Sequence, residues 1–493
     1  MGSIDLNSKP HVVLLSSPGL GHLIPVLELG KRIVTLCNFD VTIFMVGSDT
    51  SAAEPQVLRS AMTPKLCEII QLPPPNISCL IDPEATVCTR LFVLMREIRP
   101  AFWAAVSALK FRPAAIIVDL FGTESLEVAK ELGIAKYVYI ASNAWFLALT
   151  IYVPILDKEV EGEFVLQKEP MKIPGCRPVR PEEVVDPMLD RTNQQYSEYF
   201  RLGIEIPTAD GILMNTWEAL EPTTFGALRD VKFLGRVAKV PVFPIGPLRR
   251  QAGPCGSNCE LLDWLDQQPK ESVVYVSFGS GGTLSLEQMI ELAWGLERSQ
   301  QRFIWVVRQP TVKTGDAAFF TQGDGADDMS GYFPEGFLTR IQNVGLVVPQ
   351  WSPQIHIMSH PSVGVFLSHC GWNSVLESIT AGVPIIAWPI YAEQRMNATL
   401  LTEELGVAVR PKNLPAKEVV KREEIERMIR RIMVDEEGSE IRKRVRELKD
   451  SGEKALNEGG SSFNYMSALG NEWEKSWKTQ SSETITVVVG EDK

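Results

Sequence analysis

Short apolar runs, each closed by glycine or a small polar residue and followed by a stretch of helical period, recur along the chain. That alternation predicts parallel strands joined by helices, an α/β architecture. The first run is residues 11–16, and residues 114–118, 212–215 and 242–245 continue the series. A second series opens at 272–278 and continues at 303–307 and 363–367. Helices are expected at 261–267 and at 374–380, where Ala381 and Gly382 ahead of Pro384 form the stop. Residues 421–456 alternate Lys, Arg and Glu in the manner of helices in a solvated outer layer, and 461–477 is a final amphipathic helix.

Between the two series, residues 246–259 read GPLRRQAGPCGSNC, the composition of a linker. With 493 residues the chain exceeds one ordinary core, so two domains of roughly 200 to 250 residues are expected. The boundaries are set at 1–245, a linker at 246–260, 261–460 and the helix at 461–477. Residues 478–493 are expected to be a disordered tail, although 484–489 has the pattern of a strand. Residues 76–87, 142–156 and 181–200 are candidate walls of a pocket. Residues 309–332 form a long polar loop rich in Gly and Asp.

Composition then narrows the function. The chain is 45% hydrophobic and 22% charged, ordinary for a globular protein. A net charge of −12 and a pI near 5.2 argue against a nucleic-acid partner. No apolar run reaches the roughly 20 residues of a membrane helix. The first residues lack the basic and apolar regions of a signal peptide, and Leu6 breaks a myristoylation pattern. Eight scattered cysteines read as reduced thiols in a cytoplasmic protein, where the sequons at Asn76 and Asn397 carry no meaning. Cys255 and Cys259 lack two further ligands for a metal, and the spacing of His356, His360 and His369 fits no zinc pattern, so no metal is expected.

Most of the candidate chemistry lies in residues 351–394, WSPQIHIMSHPSVGVFLSHCGWNSVLESITAGVPIIAWPIYAEQ. A buried strand there runs into Ser368-His369-Cys370-Gly371-Trp372-Asn373-Ser374 and then a helix. Such a turn presents backbone N–H groups and the helix dipole to an anion such as a diphosphate. His369, Asn373 and Ser374 add donors around it. Glu377, one turn on, has the reach to accept ribose hydroxyls, and Trp351 offers a flat face for a base. Glu393 and Gln394 are a neighbouring pair suited to vicinal sugar hydroxyls. The Gly-rich turn 279–283 brings a second set of amides and the hydroxyl of Ser280 toward a phosphate.

The turn after the first strand, Ser17-Pro18-Gly19-Leu20-Gly21-His22-Leu23-Ile24-Pro25, begins like a dinucleotide fingerprint, but Ile24 stands at its third glycine. In place of a phosphate cradle it offers His22 at the C-terminal edge of the sheet. Asp119 closes the strand 114–118, where it is able to hold that imidazole. Trp145, Phe146 and Leu149 sit in an apolar helix and read either as plain core or as the wall of an aromatic pocket. An NAD(P)-dependent oxidoreductase shares the architecture but has no place for residues 351–394. A reversed glycoside hydrolase needs a second carboxylate opposite Asp119. A binding protein without turnover leaves the pair His22 and Asp119 unexplained.

From His11 to about Trp477 the chain resembles the plant secondary-product UDP-glycosyltransferases, whose signature box begins WAPQ, contains HCGWNS with a Glu three residues on, and ends in Gln. Ser352 replaces the usual Ala, a change expected to matter little. The resemblance is nearest to the branch that glucosylates small phenols. It implies the GT-B fold: two Rossmann-like domains face across a cleft, acceptor in the first and UDP-sugar in the second, with the last helix crossing back to the first. It also implies a dyad of His22 as base and Asp119 as its orienter, inversion to a β-O-glucoside, and no cofactor or metal. Gln394 at the end of the box, with Trp372, points to glucose, since relatives preferring galactose carry His there. The donor set is then Ser280, Trp351, Gln354, His369, Trp372, Asn373, Ser374, Glu377, Tyr391, Glu393 and Gln394. The acceptor set is Ser17, Gly19, Phe121, Trp145 and Phe146. The partners implied are UDP-glucose and a phenol of monolignol, hydroquinone, flavonoid or anthocyanidin type, bound by a monomer.

Overall fold

Two parallel sheets carry the chain. The computed structural model describes residues 9–47, 62, 65–250, 259–310, 329–415 and 417–490. The first sheet holds β1 (His11–Ser16), β2 (Asp40–Val46), β3 (Glu68–Leu72), β4 (Ala115–Asp119), β5 (Ala135–Ile140), β6 (Gly211–Met214) and β7 (Val242–Pro244). The second holds β8 (Val273–Ser277), β9 (Arg302–Val307), β10 (Gly345–Pro349), β11 (Val363–Ser368), β12 (Ile385–Ala387) and β13 (Ala408–Val409). Their orders are β3-β2-β1-β4-β5-β6-β7 and β10-β9-β8-β11-β12-β13. Each sheet grows outward from its first strand in one direction and then resumes on that strand's other side. The order therefore reverses between β1 and β4 and again between β8 and β11, the places where open α/β sheets hold ligands.

The strands form because their residues are apolar on both faces. β4, β8 and β11 are buried at every position, as parallel strands covered by helices must be. Alternate residues of β1 enter different cores: Val13 and Leu15 pack with Ile116 and Val118, while Val12 and Leu14 pack with Ala115 and Ile117. The register Leu15↔Val118 and Ser368↔Ser277 brings the ends of the paired strands level.

The helix Ser461–Gly490 buries Met466, Leu469, Trp473 and Trp477 in the second of these cores. Trp473 meets the edges of Phe39 at 6.1 Å and Tyr137 at 5.4 Å. The last helix therefore packs against the first sheet, although it follows the second. It continues to Gly490, where the sequence reading expects a disordered tail from 478; no Pro or Gly interrupts 478–489. Most of the expected linker (251–258) and of the long loop (311–328) lies outside the described residues. Among the described residues no helix is long and apolar enough to cross a membrane.

Candidate active site

At the end of β1 the chain turns through Gly19, whose φ of 97° suits glycine alone, and enters the helix Leu20–Arg32. His22 falls in the first turn of that helix, level with the end of β4. Ser17 donates its backbone N–H to Asp119 Oδ2 at 2.7 Å and its hydroxyl to the same oxygen. The His22 ring meets the edge of Phe121 at 5.1 Å, and Phe121 in turn meets Phe92 at 4.7 Å. No hydrogen bond joins His22 to Asp119: the carboxylate is held by Ser17, and its charge reaches the imidazole through space. Burial pushes the His22 pKa below 6.5, and the charge of Asp119 partly restores it. Burial pushes the Asp119 carboxyl up, offset by His22 and by the Ser17 donors.

Facing this edge is the end of the second sheet. His369 follows β11 and lies between two glycines. A Cβ on Gly279 would stand 2.5 Å from its ring, and one on Gly371 would stand 2.5 Å from its Nε2. Glycine at both positions is therefore what admits the imidazole. Burial, with Arg308 nearby, lowers the His369 pKa to about 4, so the ring is neutral, and its Nδ1 is buried without a partner. The helix Trp372–Ala381 opens at Gly371 with no side-chain cap, leaving its first N–H groups to face the cleft. Gln354 donates to Ser374 Oγ at 3.0 Å and to Glu377 Oε2 at 2.7 Å, which fixes the carboxylate assigned to ribose. Ser352 is buried, and its hydroxyl lies 2.9 Å from Tyr275 Oη, so the departure from Ala acquires a partner that the sequence reading did not foresee. Gln394 Oε1 accepts the N–H groups of Ile390 and Tyr391 at 2.9 and 3.1 Å and shapes the loop ahead of it.

A cavity of about 1140 Å³ lies between the two edges. Every residue expected in the donor set lines it, as do His22, Asp119, Phe121 and Phe146. Three of the expected acceptor residues do not. Ser17 is 1% exposed and bonded to Asp119, Gly19 belongs to the turn behind, and Trp145 packs into the core of the helix Ala144–Glu159. The candidate segments at 76–87 and 181–200 reach the wall through Thr86 and Val87 and through Val185, Pro187 and Tyr199.

Three expected donor residues also join the halves, the first being Glu393, whose Oε1 accepts the Ser142 hydroxyl at 3.3 Å. Trp372 Nε1 donates to Asn215 O at 2.8 Å, and Asn373 Nδ2 donates to Gly21 O at 2.9 Å, beside His22. Sequence reasoning missed Arg308, which donates to Ser280 O and, at 3.3 Å, to Gln350 O, tying the Gly-rich turn to the residue before Trp351. Its place at the end of β9 was the available signal. Among the described residues no three His, Cys, Asp or Glu side chains gather in the manner of a metal site.

Residues 250–436 match the family model described as UDP-glucoronosyl and UDP-glucosyl transferase. A relative named anthocyanidin 3-O-glucosyltransferase 5, from Manihot esculenta, is 99% identical over 483 residues, covering 98% of this chain and 99% of that one. Hydroquinone glucosyltransferase of Rauvolfia serpentina is 41% identical over 473 residues, covering 95% of this chain and 99% of that one. Among solved structures, TcCGT1 in complex with UDP is 50% identical with a TM-score of 0.89, covering 95% of this chain and all of that one. UGT71G1 of Medicago truncatula, complexed with UDP-glucose, is 29% identical with a TM-score of 0.79, covering 95% of this chain and 99% of that one.

Proposed function

This chain belongs to the UDP-glucoronosyl and UDP-glucosyl transferase family, and on that premise we propose how its site carries out glucosyl transfer and to which acceptor. It is a UDP-glucosyltransferase of the GT-B fold, with a UDP-sugar as co-substrate. The observation that supports the catalytic assignment is the placing of His22 and Asp119 on one wall of the cavity and of the stretch from Trp351 to Gln394 on the other.

His22, kept neutral by burial, takes the proton of a phenolic hydroxyl, a group whose ordinary pKa near ~10 demands only modest help. The imidazolium that forms is stabilised by the carboxylate of Asp119. The phenolic oxygen attacks C1 of the glucose from the face opposite UDP, which inverts the centre and gives a β-O-glucoside. Trp351 stacks the base, Glu377 takes the ribose hydroxyls, and Glu393 with Gln394 takes the hexose. Charge on the departing diphosphate is met by the helix start at Trp372, by His369, Ser374 and Ser280, and by Arg308 behind the Gly-rich turn. This set of donors requires no divalent cation.

The relative at 99% identity carries the name of an anthocyanidin 3-O-glucosyltransferase, so an anthocyanidin hydroxyl is the first acceptor to try. We place the enzyme in the cytoplasm as a monomer; six cysteines among the described residues form no disulfide, the state that such a compartment maintains. The test is UDP release from UDP-glucose in EDTA with an anthocyanidin, hydroquinone and a monolignol, beside His22→Ala. Acceptor-dependent UDP, lost in the variant, is the expected result. Abundant turnover by His22→Ala with UDP binding intact overturns the assignment of the base, and dependence on added Mg²⁺ overturns the metal-free reading.

A further inference from the structure

The loop that carries Tyr391, Glu393 and Gln394 contains one residue in an unfavourable conformation. Ala392 has φ of 56°, left-handed backbone that a residue with a Cβ adopts only under constraint. Part of the constraint is internal, through Gln394 Oε1 and the N–H groups of Ile390 and Tyr391. The rest comes from the other half of the protein. Asp186 Oδ2 accepts the N–H of Ala392 at 2.7 Å, and the Asp186 N–H donates to Ala392 O at 3.3 Å. The second oxygen, Asp186 Oδ1, is held by Arg395, which is 5% exposed and also donates to Val184 O at 3.1 Å. Asp186 thus grips both backbone groups of the strained residue while its own carboxylate is fixed from behind.

The position of the grip gives it a consequence. Asp186 lines the cavity with Val185 and Pro187 on the side of the first sheet, while Ala392 lines it with Tyr391 and Glu393 on the side of the second. One carboxylate therefore connects the wall that meets the acceptor with the loop that meets the hexose. We propose that Asp186 is a positioning residue for sugar recognition: by holding Ala392 left-handed it sets where Tyr391 and Glu393 stand against the hexose. The proposal rests on the reading of Glu393 and Gln394 as the hexose-binding pair. It assigns Asp186 no contact with the base or diphosphate of UDP, which separates it from a general tie between the halves.

The experiment uses the full chain with Asp186→Ala and Asp186→Asn, measuring Kd for UDP by calorimetry together with kcat and KM for UDP-glucose and UDP-galactose. In Asp186→Ala the affinity for UDP is expected to stay within about 2-fold of the parent, while kcat/KM for UDP-glucose falls about 10-fold or more and the preference over UDP-galactose narrows. Asp186→Asn keeps one oxygen for the Ala392 N–H and is expected to fall between, and it carries the test alone if the alanine variant does not fold. Parental kcat/KM and preference in a folded variant overturn the proposal. So does an equal loss of affinity for UDP and UDP-glucose, which would make Asp186 a tie without a role in sugar recognition. Failure of the underlying reading shows instead in the parent, as an absence of UDP-glucose turnover or as Glu393→Ala and Gln394→Ala leaving UDP-glucose kinetics unchanged.

Discussion

Ser17 holds Asp119 Oδ2 with two donors, its backbone N–H at 2.7 Å and its hydroxyl. The carboxylate whose charge reaches His22 is thus fixed from the strand next to its own. Ser17→Ala removes the hydroxyl and leaves the N–H, so the charged form of Asp119 loses part of its stabilisation. We expect kcat to fall on the order of 10-fold with KM for UDP-glucose unchanged, and Asp119→Asn to cost more, on the order of 100-fold or greater. Steady-state kinetics on the two variants checks the order, and a Ser17→Ala enzyme as slow as Asp119→Asn would refute it.

The acid limb of kcat/KM should lie below 6.5. A base acts when deprotonated, and burial lowers the pKa of His22, so the enzyme stays active at pH values where a free imidazole is half protonated. Asp119 opposes that shift. Asp119→Asn should therefore move the limb to lower pH even as the rate drops, read from a pH profile with an acceptor whose pKa lies near ~10, outside the range scanned. A limb moving upward in the variant would mean that Asp119 is not the charge His22 senses.

The two glycines around His369 make a steric prediction. Gly371→Ala places a methyl group 2.5 Å from Nε2, and Gly279→Ala adds left-handed strain, φ 74°, to a similar clash. Each should weaken UDP binding by about 10-fold or more, since the ring must rotate out of the position assigned to the phosphate. Calorimetric titration with UDP is the measurement, and unaltered affinity in either variant would remove His369 from the diphosphate site.

How much of this site is legible in the sequence depends on separation along the chain. Residues 351–394 read directly because strand, turn and helix are local and their donors follow at fixed spacing. β11 and β8 are legible because they are apolar at almost every position, whereas β12 and β13, of three and two residues, are too short to show a period. Asp186 and Ala392 are separated by 206 positions, and nothing near Asp186 announces a partner. Trp372 shows the converse: its place in the box marks it for the donor, while its indole N–H in the fold binds Asn215 O. The resemblance assigns Ser17 to the acceptor, and only the register of β1 against β4 reveals its bond to Asp119.

That indole bond separates architecture from recognition. Trp372→Phe keeps the ring but leaves the buried Asn215 carbonyl without its donor, a loss of roughly 1 to 3 kcal/mol. A lower Tm with little change in Kd for UDP is the expected result. A large loss of UDP affinity with Tm unchanged would make Trp372 a direct ligand of the donor.

Stability should also respond to pH through a buried carboxyl that does not line the cavity. Glu221 is buried beneath the start of the helix Ala144–Glu159, accepting the N–H groups of Ala144 at 2.9 Å and Trp145 at 3.2 Å and the hydroxyl of Thr216 at 2.8 Å. Burial raises its pKa from 4.5 to about 7 against the pull of those donors. The sign follows from which state keeps the proton. Below 4.5 both folded and unfolded chains hold it and there is no penalty. Between 4.5 and about 7 only the folded chain does, so stability falls as pH rises, and above that range the full cost is present. For a raise of this size that cost is on the order of 3 kcal/mol. Glu221→Gln offers an uncharged acceptor to the same N–H groups and has no proton to lose. Its Tm relative to the parent should therefore climb steadily from pH 5 to about pH 8 in thermal melts. A difference that stays flat across that range would show that the donors at the helix start, rather than burial, set the protonation of Glu221.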